Sequence, residues 1–381
     1  MIAPLALGLG VAWLELRHRL RPSSPLRMQP KHWSVSSLPG KLRIEGVLEI
    51  HNPHPRMEVF VPDLQVNPVL LGQGDPSALT VTTRVEADHP DEETRPDGYW
   101  VAYIVKGRKT TRVRVRVDIA GAAPLDLVDS LWVDAHWSNY GPFGRLQRRQ
   151  GVLVPLRRPQ PVQAAEASFI PGDGCSVLPL KTHLLGPLDD AIDVLRTYAS
   201  AVVQPGDVLT LGETPLAVIQ GRYRHPSEVN PGMVARLACR VFHPTSSLAS
   251  ACGMQTLIDV VGPTRVLAAW CGGLLMKLIG IPGGFYRLAG PQARLIDDIT
   301  GTTPPYDQTL VLGPEHPAAF CQEAAAALGV AVAIVDVNDL GRVKVLASSA
   351  GCDQALLHRA LQPNPAGNAN QRTPLVLVRP S

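Results

Sequence analysis

The chain has 381 residues, with 36 Lys+Arg against 33 Asp+Glu, 45% hydrophobic and 18% charged residues. That length suggests two domains or three, and low charge with ample apolar content excludes a disordered polyelectrolyte. A net charge of +3 leaves no basic footprint, so no nucleic-acid partner is expected.

Ile2 to Leu14 carries no charge, and Arg17, His18, Arg19 and Arg21 follow it. Spanning a bilayer takes roughly 17–25 apolar residues, so this run spans only with local thinning and snorkelling arginines. A cleaved signal peptide places positive charge before its apolar run. Here the order is reversed, which keeps the rest of the chain on the cytoplasmic side. Residues 1–21 are therefore expected to be a hydrophobic anchor, making the protein membrane-associated through its N-terminus with its bulk cytoplasmic. A frayed or core-docked helix is the other reading.

Residues 30–157 read as a β-sandwich. Leu42 to Ile50 largely alternates apolar and polar side chains, and Thr111 to Ile119 alternates without fault, as half-buried strands do. With Tyr99 to Val105 before it and Lys106-Gly107-Arg108-Lys109 between, the second run predicts a hairpin. Turn clusters such as Asn52-Pro53-His54-Pro55 and Asn139-Tyr140-Gly141-Pro142 punctuate several short strands, which suits a sandwich. Arg112, Arg114 and Arg116 share one strand face near Lys106, Arg108 and Lys109. That face reads as a solvated edge or as a contact for anionic lipid. His51 and His54 read as turn residues, because no third metal ligand lies nearby.

Residues 158–174 form a Pro-rich linker, and 175–381 a second domain. All six cysteines lie there, scattered and without C-x-x-C spacing, which argues for buried thiols in a reducing compartment and against zinc. Leu188, Ile192, Leu195, Ala199 and Val202 fall at helical spacing with Asp189 and Asp190 ahead. Asp207 to Leu211 predicts a strand. Val266 to Met276 reads as a buried helix. Pro317 to Leu328 predicts an alanine-rich helix ended by Gly329, and Val330 to Val335 a strand buried on both faces.

Phosphate-loop, nucleophile-elbow and zinc-protease signatures are missing from the sequence. Two carboxylate motifs stand out instead. Asp297-Asp298 precedes a turn rich in Gly, Thr and Pro, and its oxygens suit Mg²⁺ or Mn²⁺. Arg287 and Arg294 upstream could hold phosphate or carboxylate groups through paired hydrogen bonds. Asp336-Val337-Asn338-Asp339 follows the buried strand, at the carboxyl end where α/β sheets tend to bind ligands. Polar turns capped by their own Asp side chains remain open for both motifs.

From Leu178 to Arg342 the chain resembles the γ-glutamyl ligase that adds glutamate to the deazaflavin coenzyme F-420. The resemblance rests on Leu178 to Lys181, Gly186 to Asp190, Pro205 to Val208 and Gln220-Gly221-Arg222. It continues through Leu295 to Pro317 and Asn338 to Arg342. It implies a γ-glutamyl-ligase-like α+β domain here, so that with the strands before it the expected fold is mixed α+β and α/β, an Ig-like antiparallel β-sandwich followed by that domain. The implied reaction is GTP-dependent, with Mg²⁺ or Mn²⁺. A carboxylate acceptor becomes an acyl phosphate, and the amine of glutamate displaces the phosphate to give an amide. The resemblance places metal at Asp297, Asp298, Thr300, Asn338 and Asp339, and nucleotide near Lys181, Glu213, Thr214, Arg222, Arg287 and Arg294. It allows a homodimer. The family's lysine-bearing segment is here Glu213 to Val218, without lysine, so a catalytically degenerate, membrane-tethered ligand-binding or scaffold protein is the alternative. The first half resembles the late-embryogenesis-abundant type-2 sandwich through Ile50-His51-Asn52-Pro53-His54-Pro55, then Val59, Val61, Leu64 and Leu71-Gly72. That likeness implies a lipid-facing sandwich.

Overall fold

The computed structural model describes residues 2–19, 24–122, 127–299, 303–338, 340–367 and 371–381. Thr300 and Asp339 of the expected metal set lie outside the described residues. The N-terminal helix α1 (Ile2–Arg19) exposes Leu7, Leu9, Val11, Trp13 and Leu14. Among the described residues no single helix is long and apolar enough to cross a membrane.

The N-terminal domain is a sandwich of two antiparallel sheets. One sheet has the order β1 (Arg27–Leu38), β2 (Lys41–His51), β7 (Thr110–Ala120), β5 (Thr80–Asp88). In the other, β8 (Ser130–Gly141) pairs along its length with β9 (Gly144–Pro155) and with β4 (Leu64–Leu71). The short β3 (Val59–Val61) and β6 (Tyr103–Val105) complete it. Every second residue of β2 and β7 is buried, so period-two patterning delivers Leu42, Ile44, Leu48, Ile50 and Val113 to Ile119 into one core.

The predicted hairpin is absent. β6 pairs with β3 in one sheet, while β7 pairs with β2 and β5 in the other. The turn between them crosses the sandwich because buried Asn52 captures it. Asn52 Nδ2 donates to Val105 O at 2.9 Å and Met57 O at 2.7 Å, and its backbone exchanges hydrogen bonds with Lys109 O and Arg108 N–H. Gly107 sits there because a Cβ would lie 2.7 Å from the carbonyl oxygens of His54 and Pro55. His54 Nδ1 accepts the Met57 N–H at 2.8 Å, and His51 Nδ1 meets Thr110 Oγ1 at 2.9 Å. Both act within this corner.

The arginine face is neither an edge nor unpaired. β7 is an inner strand; its register sets Arg112 opposite Glu49 (3.0 Å) and Arg116 opposite Glu45 (2.6 Å), while Arg114 reaches diagonally to Asp88 (2.6 Å). Arg43 similarly pairs with Asp118 at 2.7 Å. Cross-strand partners of opposite sign neutralise the face.

The C-terminal domain is built on a six-stranded mixed sheet. Its order is β10 (Ile170–Gly172), β11 (Cys175–Leu180), β17 (Leu375–Pro380), β12 (Val208–Gly212), β15 (Ala331–Val337), β16 (Val343–Ser348). The end of the expected linker thus joins the sheet as β10. Only β12 and β15 are parallel. Val332 and Ile334 enter one core with α2 (Ala191–Ala199), α3 (Glu213–Ile219) and α8 (Pro317–Leu328). Ala333 and Val335 enter another with α9 (Gln354–Leu361). The strand is buried on both faces as its composition predicts. α8 runs over the predicted residues. Asp190 caps α2, accepting from the Ile192 and Asp193 N–H groups, while Asp189 turns inward.

A helical cluster is inserted between the two-residue strands β13 (Tyr223–Arg224) and β14 (Leu310–Val311), which pair with each other. It comprises α4 (Met233–Ala238), α5 (Ala251–Val261), α6 (Pro263–Leu278) and α7 (Gly284–Ala289), around its own apolar core. α6 contains the run expected to be buried, yet only Val266 and Ala269 are. One side packs on α5 and α7; the other is left to solvent.

The two domains dock through a further apolar patch formed by Trp132 and Leu153 of the sandwich with Leu184, Val218, Tyr223 and Tyr306. Tyr223 Oη donates to Gly151 O at 2.7 Å, and Arg372 reaches Asp129 at 3.0 Å.

Candidate functional site

A cavity of about 500 Å³ opens at the carboxyl ends of the parallel pair β12 and β15. The position follows from topology: neighbouring parallel strands send their next residues outward from the same sheet end. Gly212 is opposite Val335, so Glu213, the first residue of α3, comes beside Asp336, the next-to-last residue of β15. Asp297 comes from a separate segment. Its backbone exchanges hydrogen bonds with Val311 at 2.8 and 2.9 Å, which ties the Asp297-Asp298 motif to β14 and β13. Glu213, Asp297, Asp298 and Asp336 all line the cavity, as do Thr214 and Asn338.

These acids share a field. Burial, reinforced by Asp336 and Asp297 and opposed by Lys344, pushes Glu213 up to about 8. Desolvation by the cavity walls and then Asp336 raise Asp297, again against Lys344, although Asp297 still meets solvent. Lys344 lies opposite Asp336 in the β15–β16 register. Like charges gathered in a partly dry pocket favour protons over ionised forms. A bound cation would reverse that preference. Asn338 supports its own turn: its Oδ1 accepts the N–H groups of Leu340 (3.1 Å) and Arg342 (3.0 Å).

The far wall carries His183, buried and held at both ring nitrogens. Nδ1 meets Tyr198 Oη at 2.8 Å and Nε2 meets Asp189 at 2.9 Å. Gly186 N–H donates to the other Asp189 oxygen at 2.9 Å. Asp336 and His183 are cavity residues outside the ligand set that the resemblance implies. Asp336 had a signal, a carboxylate ending a doubly buried strand. His183 had none, since its partners are six and fifteen positions away.

The expected cations are elsewhere. Lys181 is exposed outside the cavity. Arg222 donates to Gly313 O at 2.6 Å and pairs with Glu315. Arg287 is exposed on α7, and Arg294 lies over the Tyr286 ring at 5.9 Å. Arg372 does line the cavity, but Asp129 already holds it. The donors are oxygens, the type that a hard cation such as Mg²⁺ takes. Among the described residues no three His, Cys, Asp or Glu side chains converge as a ready metal cage.

No curated protein matches the chain significantly. Among solved structures, the yeast GGA1 GAE domain (with P21) is 8% identical, covering 36% of this chain and 96% of its own, at a TM-score of 0.22. The GAE domain of GGA2p from Saccharomyces cerevisiae is 10% identical, with the same coverages, at 0.21. The collagen-binding subdomain ACE19 of the Enterococcus faecalis surface protein ACE is 8% identical, covering 35% and 99%, at 0.20. Scores this low carry no argument. Residues 27–158, the sandwich, match the family model of the F420-0:gamma-glutamyl ligase N-terminal Ig-like domain.

Proposed function

We propose that the chain is a γ-glutamyl-ligase-like protein whose cavity binds a nucleotide triphosphate, GTP on the family resemblance, together with Mg²⁺ or Mn²⁺. The supporting observation is that Glu213, Asp297, Asp298 and Asp336 line one cavity at the carboxyl ends of β12 and β15. In the reaction the terminal phosphoryl group passes to an acceptor carboxylate, releasing the nucleoside diphosphate. The glutamate amine then attacks the acyl carbon, phosphate leaves, and the amine gives up a proton. Phosphoryl transfer asks a protein mainly for positioning and charge neutralisation. The divalent ion supplies the neutralisation. Asp297 and Asp336 would hold it from two independently anchored segments, and Glu213 would give up its proton as the ion enters.

Mn²⁺ binding and Mn²⁺-stimulated GTP hydrolysis, compared between wild type, Asp297→Ala and Asp336→Ala, test this. We expect both variants to lose at least tenfold in Mn²⁺ affinity and most of the hydrolysis, since losing even a hydrogen-bond partner of a metal ligand costs about 10–100-fold. Equal behaviour of all three proteins would sink the proposal.

The cavity's lack of an unengaged Lys or Arg among its described lining residues favours a second reading: a non-catalytic site for a small cation-bearing ligand. Mass spectrometry of ligands retained by protein from its native host separates the two. A nucleotide supports the ligase reading, and a different metabolite the binding one.

A further inference from the structure

The α6–α7 hairpin ends in a tip that ordinary soluble loops do not have. Lys277-Leu278-Ile279-Gly280-Ile281-Pro282-Gly283 is exposed throughout. Leu278 is 82% and Ile279 72% accessible, and Leu275 on the last turn of α6 is 64%. Leu267, Cys271, Leu274, Leu275 and Leu278 recur at helical spacing along the exposed side of α6, so tip and stripe form one apolar surface. Surface loops are normally polar, and a contiguous apolar patch marks something it meets.

The hairpin is built to hold that surface out. Gly273 lets α7 approach closely: a Cβ there would lie 2.7 Å from the Phe285 nitrogen. Phe285 packs edge-on against Phe242 at 4.8 Å, anchoring the base of the hairpin in the core of the helical cluster.

Charge identifies the occupant. Between Val260 and Ile296 the sequence contains Arg265, Lys277, Arg287 and Arg294, and neither Asp nor Glu. Lys277 is next to the apolar tip and Arg287 is exposed on the opposite helix. Apolar tip and basic shoulders match a bilayer interface, where acyl chains take Leu and Ile while anionic headgroups meet Lys and Arg. A second copy placed face to face would set these cations against their own kind. We propose that the α6–α7 hairpin docks on anionic membrane, with Leu278 and Ile279 inserted at the level of the headgroups. This contact is separate from α1, which is apolar and exposed in its own right.

Co-sedimentation of the full chain with phosphatidylcholine vesicles, with and without phosphatidylglycerol, tests the docking. The double variant Leu278→Glu/Ile279→Glu should lower partitioning about tenfold or more, since inserted apolar side chains supply much of such binding. Lys277→Glu should weaken binding only on phosphatidylglycerol vesicles and only at low salt. Leu7→Glu/Leu14→Glu on α1 is the control, and the hairpin effect should persist in that background. Circular dichroism checks that each variant folds. Unchanged partitioning of the hairpin variant would overturn the proposal. So would a shift from dimer to monomer with vesicle binding intact, which would assign the surface to a second copy.

Discussion

The sandwich and the cavity-bearing domain treat charge in opposite ways. On the sandwich, strand register sets each arginine of β7 against a carboxylate, and Asp118 is held below its usual range by hydrogen bonds from Arg43. In the cavity, Glu213 and Asp297 are raised by desolvation and by neighbouring acids, with Lys344 as the opposing charge. The first arrangement is satisfied as it stands. The second is unfavourable until something positive arrives, and a departure of that kind from local consistency is the physical mark of a site.

The paired charges of the sandwich stand on a well-packed core, and that core carries the largest expected effect. Trp137 is 1% exposed, donates from Nε1 to Asn139 at 2.9 Å and carries the Arg148 guanidinium 5.8 Å from its ring centre. Trp137→Ala should cost about 3–5 kcal/mol, the range for deleting a large buried aromatic. Urea denaturation measures it. A smaller loss follows from the cavity acids. Glu213 has an ordinary value of 4.5 raised to about 8, so the folded state holds a proton that the unfolded chain releases. Its contribution is fully present below about 4.5 and is lost as pH rises through about 8. Each unit of such a shift corresponds to about 1.4 kcal/mol. Water reaching the open cavity reduces the total, and we expect wild type to lose about 2–3 kcal/mol across this window. Glu213→Gln should flatten the profile. Saturating Mn²⁺ should flatten it in wild type and change nothing further in the variant.

Sequence patterning alone made part of this legible. The faultless alternation of Thr111 to Ile119 specified β7, and the apolar run Val330 to Val335 specified most of β15 with both faces covered. Their partners were not legible, because local period says nothing about which sheet a strand joins. The crossing at residues 106–109 depends on Asn52, more than fifty positions away from Val105. The same limit applies at the site. Asp297 and Glu213 lie far apart in sequence, and only the β13–β14 pairing and the Asp297–Val311 bridge bring them to one cavity. The basic residues Lys181, Arg222, Arg287 and Arg294 carried no such tie. An arginine satisfies itself with the nearest carbonyl, carboxylate or ring, as Arg222 and Arg294 do. Exposure of α6 was also hidden, since an apolar run looks the same whether it is buried or presented to a bilayer.

The junction of the two domains sharpens the comparison further. Tyr223 is buried against Trp132 and Tyr306, and its hydroxyl serves Gly151 O across the interface. Tyr223→Phe keeps the ring but strands that carbonyl, so a loss of about 1–2 kcal/mol is expected. Hydrogen exchange at residues 151–154 and 223–224 should report it locally. An effect confined to one side would mean that the domains unfold separately.

The smallest effect belongs to the charge ladder itself. Arg114 bonds Asp88 at 2.6 Å, yet its side chain is 54% accessible, so water and salt screen the pair and ordering two long side chains offsets part of the gain. Arg114→Ala should cost less than about 1 kcal/mol, and the cost should shrink in high salt. The cavity acids respond to salt with the opposite sign, because screening relieves repulsion there while it weakens attraction on β7. Measuring Arg114→Ala and Glu213→Gln side by side at low and high salt therefore reads the two arrangements directly. A parallel salt response in both variants would mean that the acids at the cavity mouth are neutralised by some group other than Lys344, and that the cavity is no more strained than the sheet.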